Sequence, residues 1–237
     1  MLKRFSKDNM QKKYLIFDSG GIINVVINDL LEVFRELRDK FNGSFLITNA
    51  VKYETVDHPL QIKKFMWGAI RVEQLINDEI IKLAEKEKII DVRELEEKTR
   101  EVMNLANNCF LSEGKPIHLI EKGESECLAL AMILNRKGID NCVVIDERTA
   151  RMICENPENL RRLMEEKLRV KIKINEENLA EFLKIKVLRS TELIYLAYKK
   201  GLFDGNKKTL EAILYALKYN GCSISEKEVQ IMKKLGS

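Results

Sequence analysis

Four acidic residues stand where they could do chemistry: Asp18, Glu54, Glu124 and Asp146. Asp18 follows the apolar run Tyr14-Leu15-Ile16-Phe17, and Asp146 follows Cys142-Val143-Val144-Ile145. Glu54 falls on a short helix that Thr48 or Asn49 can cap, and Glu124 opens an apolar helix in Gly123-Glu124-Ser125-Glu126. If these four carboxylates share a pocket they repel one another. At a separation of ~5 Å and an effective dielectric of ~20, each pair costs about 3 kcal/mol. Such a cluster persists only with a cation or with raised pKa values. An all-oxygen donor set suits Mg²⁺ or Mn²⁺ better than zinc, and carboxylate-held magnesium fits phosphoryl chemistry. Each acid also has a plain structural role open to it. Asp18 can cap the turn that follows. Glu54 can be a solvated helix residue, as most Glu are. Glu124 suits a first helical turn through the macrodipole, and Asp146 can be an N-cap. It is their joint placement on strand ends and adjoining helices that points to a site.

The elements that must position these acids are legible as a pattern. Short apolar strands are expected at residues 14–17, 44–48, 142–145 and 185–188, and the alternating residues 169–174 suggest a further one. Asp18-Ser19-Gly20-Gly21 reads as a turn, and Asn28 or Asp29 can cap a helix to about Lys40. Residues 60–110 read as two charged helices, the second capped by Asp91, and as an antiparallel helical hairpin. Pro157 starts another helix, Ser190-Thr191-Glu192 a strong one stopped by Gly201, and two more follow before the C-terminus. Strands alternating with helices argue for a parallel, doubly wound α/β sheet. In such sheets the site lies at the strand C-termini, where Asp18 and Asp146 both stand.

Composition sets the frame. With 237 residues, 45% hydrophobic and 33% charged, the chain can bury a sizeable core. No apolar run reaches spanning length and no signal-type region follows the basic N-terminus, so a cytoplasmic protein without a membrane partner is expected. The five Cys include no C-x-x-C pair and read as buried or incidental thiols; two His cannot build a His-rich metal site. A net charge of +4 permits a polyanionic partner without demanding one. Basic residues cluster at Lys12-Lys13, Lys63-Lys64, Arg161-Arg162 and Lys207-Lys208. Arg169, Lys171 and Lys173 alternate with apolar residues and could present one cationic face to a phosphate backbone. Phe65 and Trp67, beside Lys63-Lys64, read chiefly as core or interface residues, with base stacking as the rival reading.

Several stretches together resemble a PIN domain of the VapC-like prokaryotic branch. They are Asp18-Ser19 after an apolar strand, Glu54 in Val-Lys-Tyr-Glu, Gly-Glu-Ser-Glu before an Ala/Leu-rich helix, and Ile-Asp-Glu-Arg-Thr-Ala-Arg. The tail adds Val187-Leu188-Arg189-Ser190-Thr191 leading into Leu196-Ala197-Tyr198-Lys199-Lys200-Gly201-Leu202. The resemblance implies a parallel sheet of about five strands with helices on both faces. It places a PIN-like domain at residues 14–225, after a flexible segment 1–13 and before a C-terminal helix or tail at 226–237. Helical insertions at about 60–110 and 157–183 make the chain longer than a typical VapC toxin. The implied activity is a metal-dependent endoribonuclease in which Asp18, Glu54, Glu124 and Asp146 hold Mg²⁺ or Mn²⁺ and metal-activated water attacks a phosphodiester. Ser19, Glu126 and Arg151 take supporting places. RNA is the implied partner, with a homodimer or an antitoxin-like protein as further candidates. A haloacid-dehalogenase-type phosphatase would want an Asp where Gly20 stands, and no G-x-x-x-x-G-K-[ST] phosphate loop occurs. The remaining alternative is a non-catalytic PIN-like RNA-binding or assembly module.

Overall fold

The computed structural model describes residues 13–202 and 206–235. In chain order the elements are β1 (Lys13–Phe17), α1 (Ser19–Ile27), α2 (Leu31–Lys40), β2 (Gly43–Ile47) and α3 (Asn49–Lys52), which runs on into a π-helical turn at Tyr53–Asp57. A 3₁₀ turn at Pro59–Gln61 leads to α4 (Met66–Asn77), β3 (Ile81–Leu83), α5 (Val92–Asn107), β4 (Phe110–Ser112) and β5 (Lys115–Pro116). Then come α6 (Lys122–Arg136), β6 (Asn141–Val144), α7 (Arg148–Glu155), α8 (Pro157–Leu168), β7 (Ile172–Ile174) and α9 (Glu176–Leu179). The chain closes through β8 (Val187–Leu188), α10 (Ser190–Lys199), α11 (Lys207–Tyr219) and α12 (Glu226–Leu235). The flexible segment expected at residues 1–13 lies outside the described residues, except for Lys13, which opens β1.

The architecture is α/β. Five parallel strands in the order β3-β2-β1-β6-β8 form one sheet flanked by helices. Burial explains the strand sequences: four of the five residues in both β1 and β2 are buried, so these strands are apolar runs rather than alternating ones. Phe17, Phe34 and Phe45 meet with ring centroids 5.0–5.1 Å apart, packing α2 onto the first two strands. The strand order reverses between β1 and β6: β2 and β3 are added on one side, β6 and β8 on the other. At such a switch point the two connections leave in opposite directions and open a crevice beyond the strand ends. Phe17 pairs with Val144 there, and the Asp18 N–H donates to the Val144 carbonyl at 3.0 Å.

Three local expectations are corrected. Asp18-Ser19-Gly20-Gly21 is not a turn but the start of α1. Asp18 caps it by accepting from the Gly20 N–H at 3.3 Å, and Gly21 packs on the sheet where an added Cβ would lie 3.1 Å from Val144 Cγ1. Residues 60–110 are not a helical hairpin. Asp78 and Glu79 turn the chain, Glu79 with φ 56°, and Ile81–Leu83 then joins the main sheet as its edge strand. The helix after it, α5, lies along α6. Ile80, Ile81 and Leu83 fit a helical apolar period and a short buried strand alike, so periodicity alone did not separate them. Third, residues 110–116 and 172–174 form a separate antiparallel sheet, β5-β4-β7. Residues 157–183, expected to be a helical insertion, carry α8 and α9, and the further strand suggested by the alternating residues 169–174 is present between them as Ile172–Ile174.

Candidate functional site

Asp18 is the centre of the site. It is 3% exposed, and its Oδ1 is buried without a hydrogen-bond partner. Burial pushes its pKa up to about 7, the charge of Glu124 adds to that shift, and Glu54 adds further; the Ser19 and Gly20 N–H groups oppose it. Three carboxylates from three separate elements therefore feel one another beyond the end of β1. Cys127 lies beneath them, its thiol donating to the Phe17 carbonyl at 3.6 Å and held well above the ordinary thiol range by burial and by these same charges.

Glu54 is delivered by the π turn. The Thr48 hydroxyl caps the preceding α3, and two carboxylates finish the cap: Glu85 accepts from the Asn49 N–H at 2.8 Å and Glu126 from the Ala50 N–H at 2.9 Å. The wider π turn lets Thr55 and Val56 bury while Tyr53 faces outward and Glu54 stays half-buried, a re-aiming that such turns commonly provide. Glu54 then rests against the N-terminal turn of α6. An ideal Cβ at Gly123 would stand 2.6 Å from Glu54 Oε1. Burial raises the Glu54 pKa; the Ser19 hydroxyl, donating to it, lowers it, while Glu124 and Glu126 raise it again.

Glu124 and Glu126 share α6 but do different work. Glu124 completes a capping box, accepting from the Glu121 N–H at 3.1 Å. Its charge is felt at both Asp18 and Glu54. Glu126 is 7% exposed and spends one oxygen on α3, so it fixes the segment that carries Glu54.

Asp146 stands apart in its contacts. Its Oδ1 accepts from the Ser190 N–H at 2.7 Å. Its Oδ2 accepts from the Ser190 hydroxyl at 2.7 Å and from Asn24 Nδ2 at 2.5 Å. Its backbone carbonyl accepts from the Ser223 N–H at 3.0 Å. The side chain is 2% exposed and ties α1, α6's following strand and α10 together. Glu147, not Asp146, caps α7. Arg151 pairs with Glu155 on α7 and donates to the Ser223 carbonyl, between α11 and α12, at 3.4 Å, so its partners are not the acids.

The expected cationic face is present in part. Lys173 lies on β7 and points outward while Ile172 is buried, and Lys171, two residues before, is exposed as well. Arg169 is exposed too, but it ends α8 in the left-handed conformation and belongs to no strand. Asn107 Oδ1 accepts from the Leu119 and Ile120 N–H groups, which brings the end of α5 and this small sheet to the end of the molecule where α6 begins.

Sequence reasoning missed Asn24, Ser190 and Gly123. A lone Asn inside the apolar Gly-Gly-Ile-Ile-Asn-Val-Val was the available signal for the first, since a buried amide needs a partner. Ser190 was visible as a helix start but not as the partner of Asp146, because only the adjacency of β6 and β8 brings them together. Gly123 carried no signal of its own.

The candidate donors are all oxygen, the type a hard divalent cation takes. The candidate ligands, Asp18, Glu54 and Glu124, are carboxylates, and Asp18 Oδ1 is a buried acceptor with nothing bound to it. Among the described residues no three or more His, Cys, Asp or Glu side chains are grouped so as to hold a metal ion as they stand. Comparison with protein-family models, with curated proteins and with solved structures finds no match to this chain.

Proposed function

We propose that the chain is a PIN-type, metal-dependent endoribonuclease. The observation that carries this reading is the unpartnered buried oxygen of Asp18, with Glu54 and Glu124 charged around it, at the C-terminal end of a parallel strand beside a topological switch point. Left alone, Glu124 and Glu54 raise the pKa of Asp18, and Glu124 raises that of Glu54; a cation offsets that cost and an anionic backbone then has a reason to approach. Asp18, Glu54 and Glu124 would hold Mg²⁺ or Mn²⁺, which supplies charge neutralisation at the phosphate and a lowered pKa for a bound water.

The residues around them have separable tasks. Ser19 donates to Glu54, and the capping box orients Glu124; both contacts would be exchanged in part for the cation. Glu126 keeps Glu54 in place by fixing the start of α3. Asp146 supports the site from below by clamping α1 to α10, so its part here is that of a positioning residue. Lys171 and Lys173 are exposed and offer charge to a phosphodiester chain.

The test is cleavage of single-stranded RNA by purified protein with Mn²⁺ or Mg²⁺, abolished by EDTA and by Asp18→Asn. Products should carry a 5′-phosphate and a 3′-hydroxyl. RNA binding with no cleavage in either metal would replace the nuclease by the RNA-binding module.

A further inference from the structure

In the segment that carries and follows Glu54 several aromatic residues are exposed. Tyr53, the residue before Glu54, is 56% exposed and stacks on His58 with ring centroids 5.9 Å apart and planes at 27°. Phe65 is 49% exposed and Trp67 69% exposed, and the whole run from Lys63 to Trp67 faces solvent. The core or interface role expected for Phe65 and Trp67 is therefore not a core role. A Trp this exposed is costly: its indole is the largest apolar surface a residue can leave in water.

The aromatic residues belong to one structural unit with the site. The π turn, the 3₁₀ turn at Pro59–Gln61 and α4 pack on one another, and α4 packs on α1, where Gly68 faces Val26 and Arg71 donates to the Val26 carbonyl at 3.0 Å. The same turn that aims Glu54 at Asp18 thus aims Tyr53 outward, and Phe65 and Trp67 follow within the next packed segment.

We propose that Tyr53, Phe65 and Trp67, with Lys63 and Lys64, form a stacking platform for unpaired nucleobases of a single-stranded RNA lying across the carboxylate site. The proposal rests on the nuclease reading for its choice of ligand. Exposed rings offer π faces that every base can stack on, and the two lysines meet the backbone that links those bases. Lys64 Nζ already lies 5.2 Å from the Phe65 ring centroid, and neither lysine has an ion-pair partner among the described residues. That charge separates RNA from a second copy of this chain. A twofold contact centred on the patch would bring Lys63 and Lys64 of both copies together, whereas a polyanion neutralises them.

The platform is tested by binding, apart from cleavage. The full chain carrying Asp18→Asn, in EDTA, is titrated with a labelled 12-nucleotide single-stranded RNA, with the same sequence as a duplex, and with an abasic sugar-phosphate oligomer of equal length. The expected result is quenching of the one Trp by the single strand, with much weaker binding of the other two ligands. Trp67→Ala and Phe65→Ala should each weaken the single strand by about tenfold with the salt dependence unchanged. Lys63→Ala/Lys64→Ala should lower the slope of log affinity against log salt by roughly 1.4. Equal affinity for the abasic oligomer, or Ala variants that bind like the parent, overturns the platform even if the parent protein cleaves RNA. Trp67 emission that shifts with protein concentration instead of RNA assigns the patch to a second copy. Tight, Trp67-dependent binding in a protein that never cleaves leaves the platform standing and removes the nuclease.

Discussion

The carboxylate of Glu54 lies against the backbone of Gly123, so close that a side chain at position 123 would occupy its place: the added Cβ falls 2.6 Å from Oε1 and 2.7 Å from Oε2. Two elements distant in sequence, the π turn and the first turn of α6, meet through the one residue type that leaves room. This contact sets where Glu54 stands relative to Asp18.

Gly123→Ala should therefore separate activity from stability. Glu54 is the mobile end of a long side chain and can swing away, while Ala favours a helix over Gly by about 1 kcal/mol. The thermal midpoint should change little or rise. Metal-dependent cleavage should fall by on the order of a hundredfold, because small misplacements of a catalytic group are that costly. A variant that cleaves as the parent does would show that the Glu54 position is immaterial.

Asp18 predicts a pH dependence with a definite sign. Its pKa rises on folding from 3.8 to about 7, burial first and Glu124 next. Between those values the native carboxyl keeps a proton that the unfolded chain has lost. Metal-free stability should then fall as pH rises from ~4 to ~7 and level off above, by about 4 kcal/mol in all, from roughly 1.4 kcal/mol per pKa unit. Urea unfolding in EDTA at pH 5 and pH 8 measures the part lost above pH 5, about 2.7 kcal/mol. Asp18→Asn should flatten the profile and be the more stable protein at pH 8. Mn²⁺ should raise the midpoint of the parent at pH 8 and leave that of Asp18→Asn where it was.

The parallel sheet was legible because its strands are buried on both faces and write themselves as apolar runs; Tyr14 to Phe17 and Cys142 to Val144 needed nothing else. Caps at Thr48 and Asp91 were legible from residue type. The Ile81–Leu83 strand was not, since three residues after a helix of similar composition carry too little pattern. Among the acids, sequence showed which ones end strands and open helices. It did not show that Ser190 and Asn24 take up the carboxylate of Asp146, because that depends on which strands become neighbours. The outward turn of Trp67 was hidden for a related reason: an aromatic in a helical segment gives no sign of which face the fold will cover.

Asp146 and Ser190 should be coupled as a structural pair. Asp146→Ala leaves the Ser190 N–H, the Ser190 hydroxyl and the Asn24 amide without their buried acceptor. The expected loss is roughly 3 kcal/mol, from about 1–3 kcal/mol for each buried polar group left unpaired and partial recovery by water. Asp146→Asn should lose less, since one oxygen still accepts. In a double-mutant cycle with Ser190→Ala, a coupling energy of more than about 0.5 kcal/mol is expected. Strict additivity would mean the clamp contributes nothing to the join between α1 and α10.

The thiols give a test of the packing around the site. Burial pushes Cys109, Cys142, Cys154 and Cys222 up to about 12 and Cys127 well above its ordinary value. All five are free, and Cys142 alone is only partly buried. A disulfide reagent attacks through the thiolate, so at pH 8 the native protein should react more slowly than the unfolded chain by on the order of a thousandfold. Cys142 should be modified first, and labelling of all five should need denaturant. Prompt labelling of Cys127 in the native state would mean that the floor beneath Asp18 opens to water. It would also remove the burial on which the raised Asp18 pKa depends.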